Sequence, residues 1–303
     1  MRYFIYLFLF LCSSKGFSLV DRAERSRSRQ SKEMAAYEYK FAICTMFKNE
    51  AEWLREWLAY HYHILKAEHF YLYNNDSTDN FMEVLEPYIQ AGIVEVFDWT
   101  SSKEEHALRG YDESVFVPYQ YGAFTDCMRK QALHKAKWVA VIDVDEFIVP
   151  VKGVPAFHAR LEEAAQSDPD KKIGALVLNW VIFGTSEVWN LLPGELLIEK
   201  LLSRAPLDFE WNKLTKTIYR PEAVSVCAVH NSKLNYGFFH KYLDPGEYRI
   251  QHYWTRTGKN LFQKRGHTRD TLPYYKIFNS KKDESILQFV HILQNILGKQ
   301  YSP

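Results

Sequence analysis

Two aspartates separated by one residue, Asp143 and Asp145, directly follow the apolar run 138–142. Because side chains alternate along a strand, a strand continued through this point would direct both carboxylates to the same face. Two carboxylates at the mouth of a low-dielectric sheet repel each other, so such a pair usually needs a compensating cation. Their hard oxygen atoms suit Mg²⁺ or Mn²⁺, and a cation held there acts as a Lewis acid on a departing diphosphate. Without its sequence context, an Asp-x-Asp pair would rather indicate an exposed turn or a helix N-cap.

The segments before the aspartates alternate between strand-like and helix-like patterns. Short apolar runs at 39–46, 69–73 and 93–97 predict buried strands, and the helical spacing of apolar residues over 50–66 predicts the first helix. A second helix is predicted between the last two of these strands. This order predicts an α/β fold with a mostly parallel central sheet flanked by helices. The acidic pair then lies at the carboxyl end of a central strand, where open α/β sheets bind their ligands.

The remaining sequence has a less regular pattern. The polar segment 100–118 predicts a surface loop near the active site. Further elements are predicted from apolar spacing, namely helices at 119–136, 155–166 and 284–297 and strands at 175–181 and 223–229.

The composition limits the possible classes of function. Of the 303 residues, 47% are hydrophobic, which is enough to bury one large core. Lys+Arg at 38 and Asp+Glu at 37 give a formal net charge of +1, so we expect no nucleic-acid partner. The four cysteines lack the C-x-x-C spacing of zinc and redox sites, and we assign none of them to catalysis.

The N-terminus differs in composition from the rest of the chain. The apolar run 3–12 predicts a signal peptide or a short signal-anchor over residues 1–18, since it is shorter than the roughly twenty residues of a membrane-spanning helix. The charged, Ser/Arg-rich segment 19–38 predicts a flexible stalk before the domain 39–303. We therefore expect a location in the secretory pathway or cell envelope, either secreted or associated with the membrane through the N-terminus.

A set of short motifs is spread over residues 41–269. They are Lys48-Asn49-Glu50, Glu56-Trp57, Tyr60-His61, the run 72–79, the run 143–147, Trp180 with 183–186, Lys216 with Arg220-Pro221, the run 252–254 and the run 264–266. Together these motifs resemble those of glycosyltransferase family 92, whose members have the GT-A fold. The resemblance implies a nucleotide-sugar half at 39–150 and an acceptor half at 151–303. It also implies an inverting, metal-dependent transfer of a sugar, with galactose as one candidate, from a UDP-sugar donor to a carbohydrate or glycoconjugate acceptor.

The resemblance assigns the metal ligands. Asp143 and Asp145 would hold Mn²⁺ or Mg²⁺, and a histidine late in the domain, either His230 or His252, would supply a third ligand. An imidazole ligand suits manganese better than magnesium. An ordinary hydrogen-bonded histidine is the alternative at both positions.

The resemblance also assigns residues that contact the donor. Asn49 and Glu50 after the first strand, and Asp76 and Asp79 after the second, would line the base and ribose. The alternative at all four positions is helix capping or a capping turn.

A basic cluster of Lys213, Lys216 and Arg220 can complement the oxygens of a diphosphate. Lys264 and Arg265 are a second candidate group for binding the diphosphate. The alternative for the first cluster is a solvated strand face.

An inverting transferase needs a carboxylate that deprotonates the acceptor hydroxyl. Asp208 and Glu210 are the candidates by position. Glu146 is the alternative, although strand alternation would point it away from Asp143 and Asp145.

Two other functions remain open at this point. The first is a non-catalytic carbohydrate- or nucleotide-sugar-binding protein on a transferase fold, because fold does not fix function. The second is a metal-dependent nucleotidyltransferase, which should show a glycine-rich phosphate loop such as G-x-x-x-x-G-K-[ST]. The sequence contains no such loop.

Overall fold

The computed structural model describes residues 37–100, 120–167, 171–230 and 232–298. The predicted leader, nearly all of the stalk and the loop 100–118 apart from its first residue therefore lie outside the described residues. Over the part that is described, no helix has both the length and the apolar character needed to cross a bilayer.

The first half of the domain follows the predicted alternation of strands and helices. Its elements are β1 (Tyr39–Phe47), α1 (Ala51–Ala59), a wide turn of π-helix (Tyr60–Ile64), β2 (His69–Asn74), α2 (Phe81–Gln90), β3 (Val94–Asp98), α3 (Gln120–Asp126), a second π turn (Cys127–Gln131), β4 (Ala136–Val141) and β5 (Glu146–Pro150). The helix predicted at 119–136 is shorter than expected, because its last residue already begins β4. The strand β5 was not predicted.

The second half has longer irregular connections between shorter strands. Its elements are α4 (Val154–Ala165), β6 (Lys172–Ile182), α5 (Leu197–Lys200), β7 (Ser203–Arg204), a 3₁₀ turn (Glu210–Lys213), β8 (Thr215–Tyr219), a second 3₁₀ turn (Pro221–Ala223), β9 (Val224–Val226), β10 (Lys233–Leu234), β11 (Phe238–Tyr242), β12 (Tyr248–His252), α6 (Gly258–Arg265), α7 (Tyr275–Phe278), β13 (Lys281–Lys282) and α8 (Leu287–Gly298). The strand predicted at 223–229 is only three residues long.

Within the described residues, nine strands form one sheet in the order β3-β2-β1-β4-β8-β6-β12-β5, with β11 paired to the first part of β6. The pairs β1–β2, β2–β3, β1–β4, β6–β11 and β6–β12 are parallel. The pairs β4–β8, β6–β8 and β5–β12 are antiparallel. The mostly parallel sheet confirms the predicted α/β class.

Helices cover both faces of this sheet, which is why its central strands are apolar on both sides. Alternate residues of β1 enter different cores: Phe41 and Ile43 pack into the larger one, and Ala42 and Cys44 into the smaller. Helices α1, α2, α4 and α8 contribute to the larger core, and α3 with its π turn contributes to the smaller. The smaller core also contains Cys127 and Cys227, which with Cys44 are buried free thiols.

Two hydrogen bonds attach α1 and its π turn to β5. The Trp57 indole Nε1–H donates to the main-chain oxygen of Glu146 at 2.9 Å, and the Tyr60 hydroxyl donates to that of Ile148 at 3.0 Å. All four residues are buried, so these bonds form where an unpaired polar group would be costly. The helix thereby fixes the strand that begins immediately after the acidic pair.

Candidate active site

The acidic pair lies in a turn between β4 and β5. The last residue of β4 is Val141, and the main-chain N–H of Glu146 donates to the Asp143 carbonyl at 3.1 Å, which closes the turn over 143–145. The expectation that a continued strand would align both carboxylates is therefore wrong, because the strand ends two residues before the pair. Both aspartates nevertheless line the same cleft at the carboxyl end of β4.

A buried lysine compensates the charge of Asp143. Lys216 lies on β8, next to β4, and is fully buried. Its Nζ donates to Asp143 Oδ2 at 2.8 Å and lies 3.5 Å from Glu146 Oε2, while Gln120 Nε2 donates to Asp143 Oδ1 at 3.1 Å. Burial alone would lower the pKa of Lys216, but Asp143 and Glu146 raise it above its ordinary value. The first aspartate is thus neutralised by the protein itself.

The predicted basic cluster is not assembled in the structure. Lys213 is exposed, and Lys216 is engaged by Asp143. Arg220 follows four residues later, about 13 Å along an extended chain, and pairs with Glu222 at 2.6 Å. These three side chains therefore do not form one phosphate-binding group.

The second aspartate faces a histidine. His252 ends β12, opposite Glu146 of β5, and its Nε2 lies 3.5 Å from Asp145 Oδ1. The main-chain N–H of Tyr253 donates to the Asp145 carbonyl at 2.8 Å, which fixes the two segments together. Burial alone would raise the pKa of Asp145, but His252 lowers it below its ordinary value. Burial would lower the pKa of His252, but Asp145 and Glu146 raise it.

Both candidate histidines, His230 and His252, pack against Trp180. The Trp180 ring centroid is 4.2 Å from that of His252 and 5.1 Å from that of His230. The His230 Nδ1–H donates to the Thr215 carbonyl at 3.0 Å, and burial lowers the pKa of the ring. Of the two candidate histidines, His252 is therefore the one whose ring nitrogen faces a carboxylate of the acidic pair.

Glu146 lies against the acidic pair, although strand alternation predicted that it would point away. The turn changes the direction of the chain, so that Glu146 Oε2 accepts the Asp143 main-chain N–H at 2.9 Å. Burial raises the pKa of Glu146 to about 7 despite the attraction of Lys216, and Asp143 adds to the rise. Its second oxygen, Oε1, lies 3.9 Å from His252 Nδ1. Among the described residues, neither of these two buried atoms has a hydrogen-bond partner.

Two pockets meet at the acidic turn and share the wall formed by Lys48, Glu50, Asp145 and Arg256. The strand-end pocket, of about 340 Å³, is further lined by Met46, Phe47, Asn75, Gln120, Asp143 and Val144. The α6 pocket, of about 400 Å³, is further lined by Asn49, Trp254, Thr255, Asn260, Lys264 and Arg265. A separate cavity of about 260 Å³ lies between α1 and α8, and none of the predicted site residues lines it.

The loops after β1 and β2 are held together by polar side chains. Asn49 Oδ1 accepts the Thr78 main-chain N–H at 2.7 Å, and Asp79 Oδ2 accepts that of Ala51, the first residue of α1, at 2.8 Å. Asp76 is exposed in the loop after β2. Asp79 therefore caps the start of α1 from the neighbouring loop, whereas Asn49 joins the two loops and caps no helix.

Glu50 is paired with two cations. Its Oε2 lies 2.6 Å from Arg256 Nη2, and its Oε1 accepts a hydrogen bond from Lys264 Nζ at 3.0 Å. The Arg256 guanidinium also lies 5.0 Å from the centroid of the Trp53 ring. Sequence reasoning missed Arg256, although its position four residues after His252 was an available signal.

The two predicted base candidates lie on the surface. Asp208 precedes the 3₁₀ turn Glu210–Lys213, and both Asp208 and Glu210 are exposed. The neighbouring Trp211 ring lies 6.1 Å from that of Trp254, which lines the α6 pocket. The structure therefore places this segment next to Trp254, and neither Asp208 nor Glu210 lines either of the two pockets.

The donor atoms available to a metal ion are few. In the described ranges, no group of three or more His, Cys, Asp or Glu side chains is arranged to hold a metal ion. Asp145 Oδ1 and His252 Nε2 are the two potential ligand atoms that face each other, and their separation of 3.5 Å is compatible with two bonds of about 2.1 Å to one cation. Asp143 has both oxygens engaged by Lys216 and Gln120.

A mostly parallel α/β sheet with an acidic turn, a buried histidine and two polar pockets at its carboxyl edge defines a ligand-binding α/β protein. The model of the family Glycosyltransferase family 92 matches residues 37–288. The chain therefore belongs to glycosyltransferase family 92, and the predicted family and its GT-A type of fold are confirmed.

Relatives share part of their length with this chain. A glycosyltransferase family 92 protein of Ricinus communis is 28% identical over 224 residues, which cover 71% of this chain and 35% of the relative. The galactan beta-1,4-galactosyltransferase GALS2 of Arabidopsis thaliana is 33% identical over 135 residues, covering 43% of this chain and 24% of the relative. The chain thus spans at most about a third of the length of these two relatives.

Two solved structures overlap with this chain at low identity. TarS 1–349 of S. aureus has a TM-score of 0.34 and 14% identity, and the overlap covers 61% of this chain and 48% of that one. Glucosyl-3-phosphoglycerate synthase of Mycobacterium tuberculosis, in complex with Mn²⁺, UDP and glucosyl-3-phosphoglycerate, has a TM-score of 0.35 and 16% identity, covering 63% and 60%.

Proposed function

We propose that this chain is an inverting, metal-dependent glycosyltransferase that moves a sugar from a UDP-sugar to a carbohydrate acceptor. Membership of glycosyltransferase family 92 supports the reaction class. The observation that carries the proposal is the contact between Asp145 and His252, because Asp145 lies in the wall shared by two pockets. A leaving diphosphate bound across that wall would lie beside the groups that can stabilise its charge.

The two pockets match the two parts of a nucleotide-sugar donor. The strand-end pocket lies at the ends of β1 and β4, where open α/β sheets bind nucleotides, and we assign the nucleoside to it. The α6 pocket brings Lys48, Arg256 and Lys264 next to Asp145, and we assign the diphosphate to this junction. The sugar would then extend toward Trp254.

We propose that Asp145 and His252 hold the Mn²⁺ or Mg²⁺ ion, with the remaining positions left for diphosphate oxygens and water. When bound, the cation would supply Lewis-acid stabilisation of the leaving group. Glu146 would orient the His252 ring, because Glu146 Oε1 has no hydrogen-bond partner among the described residues and lies 3.9 Å from His252 Nδ1. Asp143, bound to Lys216 and Gln120, would fix the shape of the turn rather than bind the ion directly.

The similarity to GALS2 supports galactose as the transferred sugar and a galactan-like acceptor. Asp208 and Glu210 remain the candidate bases predicted from the sequence, in the segment whose Trp211 ring lies 6.1 Å from that of Trp254. The secretory or cell-envelope location also remains a prediction, because the leader lies outside the described residues.

The test is the release of UDP from a panel of UDP-sugars, with Mn²⁺ and with chelator. We expect Asp145→Asn to lower kcat by a factor of about a hundred or more, because the side chain loses the charge that attracts the cation. Asp270→Asn, which removes one charge from a side chain that is 84% exposed, should leave the rate unchanged. Turnover by Asp145→Asn at the wild-type rate would refute the assignment of the ion.

One observation favours a second function, nucleotide-sugar binding without catalysis. Lys216 already neutralises Asp143, so the acidic turn does not depend on a metal ion for charge balance. This alternative predicts UDP binding of equal strength with Mn²⁺ and with chelator, and no UDP release from any donor. Isothermal titration with UDP under both conditions separates the two functions.

A further inference from the structure

Glu50, in the wall shared by the two pockets, already forms ion pairs with two cations of the cleft. Glu50 pairs with Arg256 through Oε2 at 2.6 Å and with Lys264 through Oε1 at 3.0 Å. Both cations line the α6 pocket, and Arg256 lines the strand-end pocket as well. The carboxylate thus lies where an incoming anion would find its best partners.

Arg256 is built into this position rather than placed on the surface. It is only 5% exposed, its main chain has a left-handed φ of 50°, and its guanidinium packs on the Trp53 ring. Among the described residues, none accepts a hydrogen bond from its Nη1. A buried guanidinium has five N–H donors and needs an anion, and a single carboxylate at one nitrogen leaves part of this capacity unused. A diphosphate offers more acceptor oxygens than a carboxylate does.

Glu50 can release its cations without unfolding the adjacent helix. Its main-chain oxygen accepts the N–H groups of Trp53 and Leu54, so the start of α1 is held by the backbone. The carboxylate itself extends into the cleft, where its side chain is 16% exposed. Movement of this side chain away from Arg256 and Lys264 therefore breaks none of the main-chain hydrogen bonds at the start of α1.

We propose that Glu50 is a placeholder anion, which binds Arg256 and Lys264 before a ligand binds and is then displaced by the diphosphate group of that ligand. The identity of that ligand as a UDP-sugar rests on the proposed function, whereas the exchange of one anion for another rests on the geometry of the cleft alone. Glu50 then opposes ligand binding, because each binding event must first break its two ion pairs. A nucleoside-binding role for Glu50 predicts the opposite sign.

The test compares binding of inorganic pyrophosphate, UDP and uridine to wild type and to Glu50→Gln by isothermal titration in chelator. Removing one negative charge from the pocket should tighten pyrophosphate and UDP binding about tenfold, and uridine binding should not change. Glu52→Gln is the matched control, because Glu52 is an exposed residue two positions later that lines the separate cavity between α1 and α8. It should change no affinity by more than about twofold.

A second variant tests whether any gain in affinity comes from the cations that Glu50 releases. Lys264→Gln in the Glu50→Gln background should remove most of the gain, since it deletes one of the two released cations. Unchanged or weaker pyrophosphate binding by a folded Glu50→Gln protein would overturn the placeholder role. If Glu50→Gln tightens pyrophosphate binding but wild type releases no UDP from any sugar donor, the proposed function fails and the anion exchange stands.

Discussion

Replacing Lys216 by Met tests whether this lysine holds the acidic turn together. Lys216 Nζ lies 2.8 Å from Asp143 Oδ2 and 3.5 Å from Glu146 Oε2, and the lysine side chain is fully buried. At an effective dielectric constant of about 20, these distances correspond to gross attractions of roughly 6 and 5 kcal/mol. Much of this attraction is offset by the cost of burying the ammonium group.

The net effect follows from removing one partner of a buried ion pair. Such a change usually costs about 3–5 kcal/mol, because the buried Glu146 and the partly exposed Asp143 both lose their counter-charge. For a domain of this size, that loss corresponds to a fall in Tm of roughly 10 °C. Lys216→Met with Asp143→Asn should recover a large part of the loss, since the double variant no longer leaves the Asp143 charge unpaired.

Urea denaturation at pH 7 gives the free energy of unfolding for each variant. Lys213→Met is the control, because this lysine is exposed and lies three residues before Lys216. It should change stability by less than about 0.5 kcal/mol. If Lys216→Met lost no more stability than Lys213→Met, the lysine would not be the counter-charge of the turn, and our account of the acidic pair would be wrong.

Two further predictions concern the same region. Glu146 has a folded-state pKa of about 7, above its ordinary value of 4.5, so its contribution to stability should fall by about 3 kcal/mol as pH rises from 4.5 past 7. Glu146→Gln should flatten this part of the stability profile measured by urea denaturation between pH 4.5 and 8, and an unchanged profile would contradict the role of burial. Asp79→Ala removes the acceptor for the Ala51 N–H and should cost about 1 kcal/mol. An unfolding midpoint equal to that of wild type would show that this contact caps nothing.

The regular elements were predictable where apolar spacing is unambiguous. The strands and helices from β1 to β3 lie within a few residues of their predicted bounds, because their apolar runs are separated by polar turns. The strand β12 was not predicted, although all five of its residues are buried. It contains Arg249, whose Nη2 donates to Asp283, and Gln251, whose Nε2 donates to Ser285. These partners are 34 residues away in sequence, so a pattern of hydrophobicity does not reveal them.

The sequence indicated the acidic pair and the candidate cations Lys216 and Lys264, but not Arg256 and not which carboxylate each cation binds. Asp143 and Asp145 follow an apolar run, which is a local signal. The partners of the site come from distant positions: Lys216 is 73 residues from Asp143, and Lys264 is 214 residues from Glu50. Only the order of strands in the sheet brings them together, and sequence spacing does not contain that order. For the same reason, the sequence does not distinguish His230 from His252 as the candidate metal ligand.

The short connection between β4 and β5 limits how flat the sheet can be. Three strands separate β4 from β5 in the sheet, so four strand spacings would place them about 19 Å apart if the sheet were flat. Five Cα steps lead from Val141 to Glu146 and reach at most about 18 Å when fully extended, whereas this connection is folded into a turn. The sheet must therefore curve back on itself, and the segment that carries the two aspartates ties its two distant strands together.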